Sequence, residues 1–140
     1  MTHDPNCLFC RIVRGEIPAV QVFEDEDTIA FMDIFPQSRG HTLVIPKNAR
    51  ARNFLDLPPS RVAPFMERVH FVARAVEKAL EPDGLSLLQF TGAPAGQTVF
   101  HLHFHVLPRF DGVDLRPHTG KMADHALLAK HAEMIRAALG

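Results

Sequence analysis

The most informative segment of this chain is His101-Leu102-His103-Phe104-His105-Val106-Leu107. Three histidines alternate with apolar residues, which is the period of a β-strand, because successive side chains of a strand point to opposite faces. Nine of the 140 residues are histidine, and scattered histidines would not give this spacing. The segment therefore predicts a strand with one imidazole-bearing face and one apolar face that packs into a core.

A row of three imidazoles can serve as metal ligands or as catalytic groups. At about 3.3 Å per residue the backbones of His101 and His105 lie roughly 13 Å apart, which is too far for both to bind one ion through bonds of about 2 Å. As catalytic groups, one imidazole attacks phosphorus while its neighbours bind or orient the phosphate. The spacing favours phosphorus chemistry. The plain alternative is a set of surface residues on an amphipathic strand.

Several segments of the chain resemble the histidine triad (HIT) superfamily of nucleotide hydrolases and transferases. The alternating histidines match its signature, and the other matches follow in the family's order from about residue 6 to residue 109. These matches are the amino-terminal segment Asn6–Ala19, the ribose-binding strand end Phe31–Gln37, the next strand Gly40–Lys47 and the approach to the triad, Ala95–Phe100. The chain is identified as a member of the HIT superfamily, in the bacterial branch that resembles Hint.

The resemblance implies a role for each histidine of the triad. His103 would attack the α-phosphorus of a nucleotide, and water would then hydrolyse the nucleotidyl-histidine. His105 would contact the phosphate oxygens, His101 would orient the network, and Asp33 would bind the ribose hydroxyls. The remaining nucleotide-binding positions implied by the resemblance are Gly96, Gln97 and Thr98 for the phosphate and Leu8, Phe9, Ile12, Phe31 and Ile34 for the base.

Cys7 and Cys10 form a Cys-x-x-Cys pair, and the chain has no other cysteine. In a cytosolic protein such a pair indicates metal or redox chemistry rather than a structural disulfide. Some members of the family bind structural zinc through this pair, the first triad histidine (here His101) and a second histidine, where this sequence has Ala49. Structural zinc prefers four protein ligands. We therefore expect zinc to be absent or weakly held, and no cofactor to be required.

Length and composition indicate one ordinary domain over residues 1–140. Apolar residues make up 46% of the chain, charged residues make up 22%, and the net charge is −1. Nothing in this charge pattern indicates a nucleic-acid or membrane-surface partner. No apolar run approaches the ~20 residues that span a bilayer, and the first residues lack a secretion signal. We expect a cytoplasmic protein.

Hairpin-linked strands with helices outside the sheet predict an α+β fold. The family implies a HIT-like, five-stranded antiparallel sheet with one long helix and a C-terminal helix, in a homodimer joined at a sheet edge. The predicted elements are a helix over 7–15, strands Val20–Phe23, Ile29–Met32, Thr42–Ile45, Leu85–Phe90 and 101–107, a helix within 57–80 whose regular part starts near Pro64, a loop over 109–121, and a final helix that Asp124 caps and that packs through Leu127, Leu128, Met134, Ile135 and Ala138.

One residue departs from the family's pattern. Phe90 stands seven residues before Gln97, where the family usually has an Asn or Gln that contacts substrate. Gln89 and Thr91 would point to the other face of a strand. The third triad histidine favours the hydrolase branches over the transferases. We expect hydrolysis of purine nucleoside phosphoramidates or other adenylylated small molecules. The alternatives are a diadenosine polyphosphate hydrolase, a low-turnover nucleotide-binding module and a metal-binding β protein.

Overall fold

The computed structural model describes residues 7–117 and 122–140. A five-stranded antiparallel sheet has the spatial order β1-β2-β3-β5-β4. Its strands are β1 (Gln21–Glu24), β2 (Thr28–Met32), β3 (Thr42–Pro46), β4 (Gly84–Leu88) and β5 (Phe104–Arg109). The predicted α+β fold with an antiparallel sheet is therefore confirmed.

In the part of the chain that the structure describes, three helices accompany the sheet. They are α1 (Leu8–Val13), α2 (Pro59–Leu80) and α3 (His125–Ala138), and short 3₁₀ turns occupy Phe54–Asp56 and Ala93–Ala95. The long helix begins at Pro59 rather than near Pro64, so that part of the prediction is wrong. Pro64 removes the hydrogen bond to the carbonyl of Ser60. Both residues are exposed, so water can solvate that carbonyl.

The sheet separates two apolar layers, since strands β2 and β3 are buried on both faces. Ala30 and Val44 face α2 and α3, in the larger core. Ile29, Leu43 and Ile45 face the opposite way, toward α1, in a smaller cluster. Alternation along each strand produces this division. The α1 face of the sheet carries the candidate site.

The triad segment keeps its predicted alternation but only partly belongs to a strand. β5 begins at Phe104, three residues later than predicted. Before it, the N–H of Leu102 donates to the carbonyl of Ala51 (2.9 Å), so the chain pairs there with the segment that follows β3. Leu102 and Val106 lie in the core beneath α2, fully buried. His103 and His105 therefore face the α1 side, as the period of two requires.

Two further elements differ from the sequence prediction. β4 ends at Leu88, so Phe90 lies beyond the strand rather than in it. In α3, Asp124 caps the helix through the N–H of Ala126 as predicted, but Leu127 and Met134 are exposed. The buried face of this helix consists of Leu128, His131, Ala132 and Ile135.

His131 is the polar member of that face. Burial lowers the pKa of His131, and the nearby positive charges of Arg39 and Lys130 act in the same direction. Burial therefore favours the neutral form of this imidazole on the buried face of α3.

The connection after β5 contains no helix or strand over 110–117, and residues 118–121 of the predicted loop lie outside the described part. Within the described ranges, no helix combines the length and apolar character needed to cross a bilayer.

Leu102→Ala is expected to lower the free energy of unfolding by about 3 kcal/mol, within the roughly 2–5 kcal/mol that such core truncations cost. Leu102 has no exposed surface and packs in the large core, so the truncation leaves a cavity. Urea denaturation measures the change. Leu55→Ala is the matched control, because Leu55 is 79% exposed; equal losses in the two variants would contradict the assigned packing.

Candidate active site

A pocket of about 400 Å³ opens on the α1 face of the sheet. Its wall is mostly apolar and carries a few polar side chains, among them Asp33, His103 and His105, as is typical of small-molecule sites. The lining residues are Leu8, Phe9, Ile12, Ile17, Pro18, Ala19, Phe31, Met32, Asp33, Ile34, Phe35, Leu43, Thr98, Val99, His103 and His105. Residues from α1, β2, β3 and β5 thus converge on one cavity.

His103 is held in one tautomer by its own chain. Its Nδ1 lies 2.7 Å from the carbonyl oxygen of His101. A carbonyl only accepts, so Nδ1 carries the hydrogen and the lone pair of the neutral ring is on Nε2. The ring of Phe9 meets His103 edge to face, with centroids 5.1 Å apart. A buried imidazole whose nucleophilic nitrogen is defined in this way is suited to attack an electrophile in the pocket.

His105 is oriented by His41, which lies just before β3. The backbone N–H of Gln37 donates to Nδ1 of His41 (3.1 Å), so Nε2 of neutral His41 carries the hydrogen. Nε2 of His41 lies 2.9 Å from Nδ1 of His105 and donates to it. The hydrogen of neutral His105 is then on Nε2. This chain of hydrogen bonds, the Gln37–His41–His105 relay, makes His105 a donor at its far nitrogen.

Asp33 begins the turn after β2 and is 5% exposed. Its Oδ1 accepts from the N–H of Phe35 (2.8 Å), and its Oδ2 lies 3.6 Å from Nε2 of His41. A carboxylate accepts several hydrogen bonds. Asp33 therefore presents acceptors at the pocket wall while its orientation is set by the turn.

The connection that follows β5 braces this turn. The N–H of Arg116 donates to the carbonyl of Gln37 (2.8 Å), and the N–H of Ala123 donates to the carbonyl of Ile34 (2.9 Å). Gln37 thus holds the connection through its carbonyl and orients His41 through its N–H.

Comparison with known proteins identifies the family. The family model of the HIT domain matches residues 14–112. The chain belongs to the HIT family. A HIT-like protein involved in cell-cycle regulation from Bartonella henselae has 46% sequence identity and a TM-score of 0.88, and the match covers 99% of this chain and 100% of that one. The HIT-like fold predicted from the resemblance is confirmed.

Two other relatives bear on chemistry and on metal. The adenylylsulfatase HINT3 of Arabidopsis thaliana is 40% identical over 104 residues, which are 74% of this chain and 52% of that protein. A Zn-bound histidine triad family protein from Mycobacterium smegmatis is 39% identical with a TM-score of 0.80, covering 95% of this chain and 92% of that one. A nucleotide-binding hydrolase, the coarse class that the resemblance implied, agrees with this membership.

Most residues predicted for the nucleotide line the pocket of this HIT domain. These are Leu8, Phe9, Ile12, Phe31, Asp33, Ile34, Thr98, His103 and His105. Ile17, Pro18 and Ala19 also line the pocket, although they were not predicted to do so. Gly15 and Pro18, which disfavour a helix, are the signal that the chain turns after α1. His101, Gly96 and Gln97 lie outside the lining.

The side chain of Gln97 holds its own loop. Its Oε1 accepts from the N–H of Gly92 (2.8 Å), and its Nε2 donates to the carbonyls of Arg52 (2.6 Å) and Val99 (3.0 Å). Gln97 is 4% exposed. The structure therefore places this amide as a brace for the loop that presents Thr98, and not at the pocket wall.

Phe90 approaches the site from the loop side. Its ring centroid is 5.6 Å from that of His105. Gln89 does not take its place, because Oε1 of Gln89 accepts from the N–H of Phe54 (2.6 Å) and Nε2 donates to Thr91 (3.0 Å). The expectation that Gln89 and Thr91 turn away from the site agrees with these bonds.

Cys7, Cys10 and His101 converge behind the pocket. Nδ1 of His101 lies 3.6 Å from Sγ of Cys7 and 3.3 Å from Sγ of Cys10, while Nε2 of His101 donates to the carbonyl of Pro46 (3.0 Å). For Zn–S bonds of about 2.3 Å and Zn–N bonds of about 2.0 Å, a tetrahedral edge is roughly 3.5 Å. In the described ranges the group offers three ligands, which fit three corners of a zinc site.

Asp33, His41 and His105 form a second group of metal-ligating side chains. The Gln37–His41–His105 relay already accounts for the approach of these two imidazoles. We therefore interpret this group as a hydrogen-bonded unit of the candidate site.

Proposed function

We propose that this HIT protein hydrolyses purine nucleoside phosphoramidates and related adenylylated small molecules at the α-phosphorus. The observation that carries the proposal is the bond from Nδ1 of His103 to the carbonyl of His101. It leaves the lone pair on Nε2 of a buried imidazole that lies beside His105 in a mostly apolar pocket. The proposed substrate has the same division, an apolar base and a charged phosphate.

We infer the orientation of the nucleotide from the apolar and polar residues that line the pocket. The base packs between the apolar residues of α1 and β2, such as Phe9 and Phe31. The ribose hydroxyls donate to Asp33, and the phosphate lies against His103, His105 and the hydroxyl of Thr98. The Nε2–H of His105, set by the relay, donates to a phosphate oxygen and stabilises charge that develops there.

The reaction has two displacements. Nε2 of His103 forms a bond to the α-phosphorus as the bond from phosphorus to the leaving nitrogen breaks, and that nitrogen takes up a proton from solvent. Water then attacks the nucleotidyl-histidine, the P–Nε2 bond breaks, and the proton returns to solvent. The net reaction consumes one water and yields AMP and an amine. Covalent catalysis accelerates such a reaction because it replaces one difficult displacement by two easier ones.

The pocket wall separates this proposal from its main alternative. Diadenosine polyphosphates carry several negative charges beyond the α-phosphate, which arginine or lysine would bind. Among the described residues, the pocket lining contains neither. We therefore place a diadenosine polyphosphate hydrolase second and a low-turnover nucleotide-binding module third.

Hydrolysis of adenosine 5′-phosphoramidate beside diadenosine tetraphosphate tests the function. AMP release is measured chromatographically over time, with ammonia as the second product of the first substrate. Faster turnover of the phosphoramidate would support the proposal, and faster turnover of the tetraphosphate would support the alternative. AMP binding without turnover of either substrate would leave only the binding role.

We also propose that zinc is not needed for this reaction. Cys7, Cys10 and His101 would hold a zinc ion in a structural role, and none of the three lines the pocket. Treatment with a chelator is expected to leave phosphoramidate hydrolysis roughly unchanged, with metal content followed by mass spectrometry. Loss of turnover that added zinc restores would contradict this expectation.

We further propose a homodimer formed at the edge strand β4. The other edge strand, β1, is covered by α3, whose Arg136 donates to the carbonyl of Gln21, whereas β4 ends the sheet with Leu87 46% exposed. An unpaired edge with an apolar residue favours pairing between chains. Leu87→Lys is expected to convert dimer to monomer in light scattering. A wild-type monomer would contradict the proposal.

The expected cytoplasmic location and the absence of a nucleic-acid partner stay predictions from the sequence.

A further inference from the structure

Phe90 ends a row of four aromatic rings that starts in the base pocket. The rings of Phe9, His103, His105 and Phe90 follow one another with centroid separations of 5.1, 5.0 and 5.6 Å. Phe9, His103 and His105 line the pocket, whereas Phe90 lies outside it and joins the row through His105. The row therefore runs from the base, past the reacting phosphate, to a surface on the loop side.

From this row we infer a leaving-group subsite whose floor is the ring of Phe90. The inference rests on the proposed function, in which the base lies near Phe9 and the α-phosphate lies at His103 and His105. A group attached to the far side of that phosphate leaves the pocket past His105 and meets Phe90 next. The subsite takes an apolar group, and an aromatic one above all.

The surroundings of Phe90 keep the ring accessible and apolar. Phe90 is partly exposed. Gly96 packs on the ring, and a Cβ built on it would lie 3.6 Å from two ring carbons; its φ of +111° is one that glycine adopts readily. The neighbouring polar side chains, Gln89 and Thr91, are hydrogen-bonded to each other, and Gln89 also to the backbone of Phe54.

The chemistry of this surface discriminates between leaving groups. A carboxylate or hydroxyl group placed against the ring would lose water without gaining a hydrogen bond from the neighbouring Gln89 and Thr91, which already bond to each other. An aromatic group would gain an offset-stacked or edge-to-face contact with Phe90. Phosphoramidates of aryl and arylalkyl amines are therefore the substrates that this subsite favours over phosphoramidates of ammonia or of amines that carry carboxylate or hydroxyl groups.

Binding of two AMP monoesters, the phenyl ester and the methyl ester, tests the subsite by calorimetry. The wild-type protein is expected to bind the phenyl ester about 3- to 10-fold more tightly than the methyl ester, the factor that one aromatic pair provides. Phe90→Asn is expected to bring the ratio close to one, and Phe90→Leu to give an intermediate ratio, because leucine keeps apolar surface but not the ring.

The affinity for AMP itself and the thermal midpoint show whether each variant is folded, and Phe90→Leu serves as the test if Phe90→Asn fails to fold. Equal ratios in the wild type and the folded variants would overturn the subsite, as would failure of both esters to bind a protein that binds AMP. These binding ratios do not require turnover. Failure of the proposed function would instead appear as no hydrolysis of any phosphoramidate by the wild type.

Discussion

His103→Ala is expected to reduce hydrolysis of adenosine 5′-phosphoramidate by about 10⁴-fold or more, the scale on which removal of a covalent nucleophile acts. Nε2 of His103 is the atom proposed to bond to phosphorus, and its tautomer is set by the carbonyl of His101. Alanine leaves the apolar wall and Asp33 in place. AMP binding should therefore change far less than turnover.

The matched control is His70→Ala. His70 is an exposed residue of α2, outside the pocket lining, and its loss should change neither turnover nor binding. Rapid quenching of the wild-type reaction, followed by mass spectrometry, should reveal the nucleotidyl adduct on the peptide that contains His103. Retained turnover in His103→Ala, or an adduct on another histidine, would overturn the assignment of the nucleophile.

His41→Leu is expected to lower turnover by about 10²-fold or more, on the scale of losing a group that sets the tautomer of a catalytic imidazole. Nε2 of His41 donates to Nδ1 of His105 across 2.9 Å, and Nδ1 of His41 accepts from Gln37. Leucine breaks the relay at its centre. His105 can then carry its hydrogen on Nδ1, and its Nε2 no longer donates to the phosphate.

Rescue by glutamine separates this role from a purely structural one. The amide nitrogen of His41→Gln can donate where Nε2 of His41 does, so we expect this variant to recover part of the turnover that leucine loses. The loss should fall on kcat more than on KM, because the donated bond strengthens in the transition state. Equal activities of the glutamine and leucine variants, or a loss in KM alone, would argue that His41 only packs beneath the site.

Local periodicity predicted much of this architecture. The period of two in the triad segment put Leu102 and Val106 in the core and His103 and His105 on the other face. The sequence also predicted a helix within 57–80 and the cap at Asp124. Each of these features depends on neighbours only a few residues away along the chain. The predicted ends of an element were wrong where a segment distant in sequence bonds to the chain. At the start of β5, for example, the N–H of Leu102 donates to the carbonyl of Ala51.

The sequence by itself determined which residues of the triad segment share a face and which fold class the chain adopts, whereas the structure buries both faces of the segment. Tertiary structure alone decided which groups the histidines contact. His41 reaches His105 across 64 positions of sequence, because β3 and β5 pair in antiparallel register with Leu43 opposite His105. The side chain of Gln97 hydrogen-bonds within its own loop and to Arg52. The ring of Phe90, which follows β4, contacts the ring of His105. Strand order and register bring His41 and Phe90 to His105, and an alternating pattern specifies the face of a side chain but not its partner.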